Sequence, residues 1–520
     1  MASLRFFLSL ALGVVLLGCP SSALAKPAFN STEIEGPGSD ILFCDLDGDG
    51  LKDLVLMDDL NVAIFYQDPH RGFTREPQQF HRLEHRPCVV WTAKVGGPAG
   101  SLLVMTSDGV TELCFTNRTG PPSSRQIIRQ STIVPEAAEG TNALYLPLSV
   151  GTGLRRAEVS PSIGQPLSTQ AGADWPLLLV PTADGIQVWS ILRSPTTDER
   201  QHRDEWRLAQ CISNSIDARL RPSPADPGYT NSLEFDLSVG DVNGDGREDL
   251  IVRRSEIGRT NTYRLYLQQT NGLFALEPAL TFADKAEPFS WICWVDLNRD
   301  GKVDLIKSTW LNEPSLVPGI PSGKVLVSIF IADEHGRIPP EPQQVFRKND
   351  WLAAMPVVDL DGDGFPDLIL GYGRMDSREG LRKEITAKQF DYSLRFFFHQ
   401  PGAGFPKEAD CQRDLVIHLD HAEGPLDWGL PQNFVRCVKL DGDFNGDGKT
   451  DLLVRDRRDG ISVYFFISRT KGFSPEPDLQ FNCPEPIEGW QVTDLNNDGI
   501  SDLIVKLANQ KGYRIFISQK

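Results

Sequence analysis

One nine-residue pattern occurs six times along the chain, and it constrains the fold more than any other feature. The first copy reads Asp45-Leu46-Asp47-Gly48-Asp49-Gly50-Leu51-Lys52-Asp53, and the others begin at Asp241, Asp296, Asp359, Asp443 and Asp494. Positions 1, 5 and 9 are Asp in every copy, position 3 is Asp or Asn, and position 6 is Gly. Each copy leads straight into an apolar run such as Leu54-Val55-Leu56-Met57, Leu368-Ile369-Leu370 or Leu503-Ile504-Val505. Short apolar runs behind a Gly-containing turn read as buried strands. The pattern therefore predicts a turn between two strands, repeated around one architecture.

Oxygen-bearing side chains at alternate positions of a tight turn suit a hard cation. Calcium takes six to eight oxygens at about 2.3–2.6 Å, and glycine at position 6 permits the reversal at positive φ. Position 7 would contribute its backbone carbonyl, which explains why its side chain varies so freely. The candidate metal ligands are Asp45, Asp47, Asp49, Leu51 and Asp53; Asp241, Asn243, Asp245, Arg247 and Asp249; and Asp296, Asn298, Asp300, Lys302 and Asp304. The remaining three sets are Asp359, Asp361, Asp363, Phe365 and Asp367; Asp443, Asn445, Asp447, Lys449 and Asp451; and Asp494, Asn496, Asp498, Ile500 and Asp502. No copy has the Glu at position 12 that an EF-hand needs. Without a cation the crowded carboxylates repel one another. The formal charge is −18, and six divalent ions would bring the chain to about −6. About six Ca2+ are expected.

A second repeat follows the first. Behind each acidic turn and its strand comes another strand, then a Gly-aromatic turn backed by Glu-Pro, clearest in Gly72-Phe73 with Glu76-Pro77 and in Gly472-Phe473 with Glu476-Pro477. Looser copies are Gly272 to Phe274, Gly336, and Gly404-Phe405. Four antiparallel strands per unit of roughly 45–65 residues describe the blade of a β-propeller. Two stretches, 89–130 and 143–211, keep the strands but replace the acidic turn with Asp108-Gly109 and Asp184-Gly185. The count is therefore eight blades, or seven if one of these is an insertion. The last unit stops at its third strand, Tyr513 to Ser518, while Phe29-Asn30-Ser31 resembles Phe481-Asn482-Cys483. Residues about 27–34 are expected to supply the missing outer strand and close the ring.

Arg5, the apolar run from Phe6 to Leu17 and the small-residue exit at Ala23-Leu24-Ala25 have the layout of a secretory signal peptide. This divides the chain into a signal segment, 1–25, and one propeller domain, 26–520, placed outside the cytoplasm: secreted, periplasmic or at the cell surface. A rival reading takes Leu16-Leu17-Gly18-Cys19 as a lipobox with a lipid anchor on Cys19. No run reaches the roughly 20 apolar residues of a spanning helix. Export permits disulfides among the eight later cysteines, although Cys44, Cys293 and Cys437 suit buried thiols on inner strands equally well. The acidic charge argues against nucleic acid as a partner.

These motifs resemble the FG-GAP/VCBS repeat family, whose members include the integrin α-subunit propeller and many bacterial exported proteins. The resemblance implies a propeller whose calcium ions are structural, and adhesion to a protein or glycan. It does not decide activity, because one fold carries many functions. The eight histidines are few, and neither G-x-S-x-G nor H-E-x-x-H occurs. A non-enzymatic binding module is the first reading. Trp91, Trp291, Trp351 and Trp490, at or before first strands, serve either as sugar-stacking platforms or as blade packing. The alternative is a polysaccharide-degrading enzyme similar to rhamnogalacturonan lyases, with candidates in the stretches Arg374 to Lys388 and His418 to His421.

Overall fold

The computed structural model describes residues 26–36, 40–58, 60–93, 99–115, 118–132, 149–150, 177–182, 184–192, 205–212, 235–243, 245–255, 260–285, 291–313, 322–348, 351–354, 357–373, 389–418, 437–508 and 512–519. They form eight antiparallel blades of four strands each, in an all-β propeller. Blade 1 shows the plan: Asp40–Cys44 innermost, then Asp53–Asp58, Asn61–Phe65 and Gln79–Arg82 at the rim. Blades 2 to 7 follow in chain order over 89–129, 149–212, 235–285, 291–348, 351–418 and 438–482. Both stretches lacking the acidic turn are thus full blades, the second and third, which settles the count at eight.

Blade 8 is assembled from both ends of the sequence. Its strands are Ile487–Thr493, Asp502–Leu507, Gly512–Gln519 and, outermost, Ala28–Glu35. The register runs from Ala28 opposite Gln519 to Glu35 opposite Gly512, so all eight residues of the N-terminal strand are paired. Phe29 anchors this strand across a blade boundary, with its ring edge-on to Phe481 at 5.0 Å and beside Phe444 at 6.3 Å. Ion pairing of Arg514 with Glu33 at 3.2 Å adds to the seam. An otherwise open sheet edge is thereby covered.

Hydrophobic patterning grades from the axis outward. Second strands are buried on both faces, as in Leu177–Thr182, and so read as unbroken apolar runs. Rim strands are mostly exposed, as in Ser123–Arg129. The core lies between blades. One cluster joins blades 1 and 2, a second joins blades 2, 3 and 4, and a small one around Val242, Leu265 and Val303 links blades 4 and 5. Others unite blades 5 to 7, blades 7 and 8, and blades 8 and 1. Each fully buried aliphatic side chain contributes roughly 1.5–3 kcal/mol, so every seam of the ring is held mainly by apolar burial.

The Gly-aromatic turns join third to fourth strands. Gly72, Gly272, Gly336, Gly404 and Gly472 all have φ between 66° and 81°, and Phe73, Phe274, Phe405 and Phe473 are buried behind them. Trp91 and Trp490 lie on innermost strands and are buried, 6% and 7% exposed, which makes them blade packing and removes them as sugar platforms. The side chains of Trp291 and Trp351 lie outside the described residues. So do 1–25 with Cys19, the stretch 374–388, and the His418–His421 segment beyond the backbone of His418. All eight described cysteines are free thiols, and burial pushes Cys293 and Cys411 up to about 12. Among the described residues, no helix is long and apolar enough to cross a membrane.

Candidate metal centre

All six acidic turns connect the first and second strands of their blades, so they stand on the same face of the ring. Position 6 has positive φ in every copy: Gly50 92°, Gly246 84°, Gly301 81°, Gly364 90°, Gly448 80° and Gly499 85°. Position 4 is also left-handed wherever it is described, at Gly48, Arg299, Gly362, Gly446 and Asn497. That second requirement was legible in the Gly at position 4 of four copies, but sequence reasoning passed over it. Arg299 at 57° and Asn497 at 56° adopt it without glycine.

The position 1 carboxylate organises the turn. Its Oδ2 accepts the position 6 N–H at 3.1 Å in the first loop, and at 2.7, 2.9, 2.7, 2.6 and 2.9 Å in the other five. The position 5 carboxylate in turn accepts the position 7 N–H on Oδ1 in all six, at 2.8–3.0 Å. This bond holds the position 7 backbone through its N–H, whatever side chain stands there.

Position 9 has a role beyond the ligand role expected of it. Asp53, Asp249, Asp304, Asp367, Asp451 and Asp502 are all 0% exposed. In each, Oδ2 accepts the N–H of position 2 of its own loop: Leu46, Val242, Leu297, Leu360, Phe444 and Leu495, at 2.7–3.3 Å. Oδ1 accepts an N–H at the end of the third strand or just past it: Gln67, Gln268, Ala332, His399, Phe466 and Ser518, at 2.7–3.0 Å. The ninth carboxylate thus staples the loop to the end of the third strand. Position 2, apolar and buried throughout, plugs the core beneath it. Burial is the main force raising these acids, to about 7 for Asp53 and Asp249, about 8 for Asp367 and Asp451, and about 6 for Asp304 and Asp502. Nearby loop carboxylates push in the same direction.

Positions 1, 3 and 5 carry the cation-binding potential. In the first and fourth loops, one oxygen each from Asp45, Asp47 and Asp49, and from Asp359, Asp361 and Asp363, lie within 4.8 Å of one another. The Oδ2 of position 5 takes a donor in every copy. Arg118 serves Asp49 at 3.0 Å, Lys302 serves Asp300 at 3.1 Å, and Lys449 serves Asp447 at 3.4 Å. Arg247 pairs with Asp245 and Arg469 with Asp363, while Ser518 Oγ donates to Asp498 at 3.0 Å. Ammonium and guanidinium groups therefore stand where a metal ion would be drawn, and the all-oxygen donor set matches the preference of calcium.

Neighbouring loops also interlock. The position 8 N–H of Lys52 donates to Leu495 O of blade 8 at 3.2 Å, and that of Thr450 to Leu360 O of blade 6 at 3.1 Å. Ser501 N–H reaches Asp443 O of blade 7 at 2.7 Å. Pro366 occupies position 8 in blade 6 and has no N–H to give.

Comparison with known proteins agrees with this geometry. The FG-GAP-like repeat model matches residues 221–306 and 443–505, which contain the second, third, fifth and sixth loops. Mouse integrin alpha-IIb is 31% identical over 165 residues, covering 26% of this chain and only 14% of its own length. A solved Agrocybe aegerita lectin, described for specific recognition of non-reducing terminal N-acetylglucosamine, covers 74% of this chain and 87% of its own at 12% identity and a TM-score of 0.35. The chain thus carries FG-GAP-like repeats at 221–306 and 443–505, within an all-β propeller of eight blades.

Proposed function

We propose that the protein is an exported calcium-binding propeller acting as a non-enzymatic binding module, with its ions structural. The observation that supports calcium is the cluster of position 1, 3 and 5 oxygens in the first and fourth loops, together with the cationic side chains that pair with position 5 in five of the six. The position 7 carbonyl and the position 9 carboxylate complete the proposed ligand set, the latter in addition to its two backbone N–H bonds. Six ions bound this way neutralise one face of the ring and tighten the turns that hold first to second strands.

The binding role rests on the repeat similarity to an integrin α-subunit, and the proposed partner is a protein, with a glycan as the other class of ligand. Blades 2 and 3, which lack the acidic turn, break the chemical uniformity of that face and are the proposed contact surface. A screen of cell-surface proteins and glycans, with and without calcium, tests this reading. Retained binding after substitution of exposed residues in blades 2 and 3 would place the contact elsewhere. A melting temperature unmoved by chelator would remove the structural role of the ions.

A further inference from the structure

The six loops divide into two classes according to whether the side chain that serves the position 5 Oδ2 comes from their own blade or from the next. Where position 3 is Asn, Arg247, Lys302, Lys449 or Ser518 of the same blade serves that oxygen. In three of these four loops the Asn amide nitrogen donates to it as well: Asn243 to Asp245 at 3.0 Å, Asn298 to Asp300 at 3.3 Å and Asn496 to Asp498 at 3.2 Å. An ionised Asp at position 3 has no proton to donate. The two loops with Asp there draw a guanidinium from the next blade instead. Arg118, between the third and fourth strands of blade 2, takes Oδ2 of both Asp47 and Asp49 of blade 1. Arg469, in the corresponding turn of blade 7, takes Oδ2 of both Asp361 and Asp363 of blade 6.

The aromatic backing is also shared. Arg118 lies over the Tyr66 ring at 5.1 Å and Arg469 over the Phe398 ring at 5.5 Å. Tyr66 and Phe398 both sit immediately before the residue that donates its N–H to the ninth carboxylate. The same five-part arrangement has therefore been built twice, at the seams between blades 1 and 2 and between blades 6 and 7.

We infer that Arg118 and Arg469 compete with calcium for the position 3 and position 5 oxygens of their neighbours' loops, an inference that rests on the calcium reading above. A guanidinium forked across two carboxylates and a divalent ion bound by the same two oxygens are mutually exclusive. In an Asn loop an ion need only displace groups of the same blade. In the first and fourth loops it must release a contact between blades. Calcium uptake at these two loops is thus weaker and is coupled to the two seams, while uptake at the other four displaces no side chain of a neighbouring blade. The arginine side chains are 45% and 37% exposed, so solvent screens the pairs and the competition is modest.

The test compares the wild-type protein with an Arg118→Gln/Arg469→Gln double variant by calcium titration calorimetry and by thermal melting. The wild type should show two sites weaker than the other four, and the double variant should bind calcium at those two about tenfold more tightly. Its melting temperature should fall in chelator and match wild type in saturating calcium. An Arg118→Lys/Arg469→Lys variant keeps the charge but not the fork and should fall between the two. Unchanged or weaker calcium affinity in the double variant overturns the competition, as does an equal melting penalty with and without calcium. Failure of every form to bind calcium overturns the calcium reading itself, and the competition with it.

Discussion

Asp451→Ala, studied in chelator, separates stapling from metal binding at position 9. The Asp451 carboxylate accepts the Phe444 N–H at 2.8 Å and the Phe466 N–H at 3.0 Å, and those residues are 0% and 4% exposed. Alanine leaves both N–H groups buried and unpaired, at about 1–3 kcal/mol each. Loss of a carboxylate whose charge is itself disfavoured, with its pKa pushed up to about 8, returns part of that. A net loss of about 3 kcal/mol corresponds to roughly a hundredfold faster exchange of the two amides if they exchange by local opening. Hydrogen-exchange mass spectrometry on peptides covering 444 and 466 reads this directly. Asp451→Asn, which keeps one acceptor but turns an NH2 towards the second N–H, should give a smaller increase. With no ion present, a purely metal-ligating aspartate would leave exchange untouched. Unaltered exchange in chelator, with reduced calcium affinity, would therefore refute the staple.

Three further outcomes follow from the same geometry. In chelator, the six ninth aspartates hold protons that the unfolded chain has already released above about pH 4. Stability should therefore fall as pH rises from about 4 through the folded values of about 6 to 8, and level off above them; denaturant midpoints from pH 5 to 8.5 measure this, and saturating calcium should flatten the slope. Phe29→Ala removes the edge-on contact with Phe481 and should cost about 2 kcal/mol, seen as earlier proteolysis at 28–35, whereas unchanged cleavage would mean that strand pairing alone holds the ring shut. Gly362→Ala combines a φ of 75° with a new Cβ only 2.8 Å from Gly448 O of the next blade, and should lower the melting temperature with calcium bound; no change would show that the loops of blades 6 and 7 are not in firm contact.

The blade plan, the ring closure and the positive φ of position 6 were readable because each leaves a mark on residue type. A turn needs glycine, a second strand buried on both faces needs an unbroken apolar run, and the match between Phe29-Asn30-Ser31 and Phe481-Asn482-Cys483 exposed the displaced strand. The ninth aspartate was legible in identity but not in role, since a staple and a ligand both ask for a carboxylate. Its backbone partners at Gln67, Ala332 and His399 share no side chain because they act through N–H groups. Arg118 and Arg469 were hidden for a different reason. They lie 71 and 108 residues from their first carboxylate partners, and only the ring brings one blade's turn against the next blade's loop.

Blade 2 shows what the acidic loop is for by doing the same work without one. Ser101 opens its second strand, as Asp53 does in blade 1, and is buried with its Oγ donating to Glu112 Oε1 at 2.8 Å. Glu112 belongs to the third strand and is held on its other oxygen by Arg125 of the rim strand at 2.7 Å. A side-chain relay has replaced the carboxylate-to-backbone staple, and the second strand is still tied to the third. A blade can therefore dispense with the acidic loop and keep its strand order. What the loop adds is a cluster of oxygens on one face, contacts between neighbouring loops and, on the calcium reading, an ion to hold both. That places the loops on the scaffold side of the molecule. Blades 2 and 3, whose sequence lacks the loop, are accordingly where we propose that a partner binds.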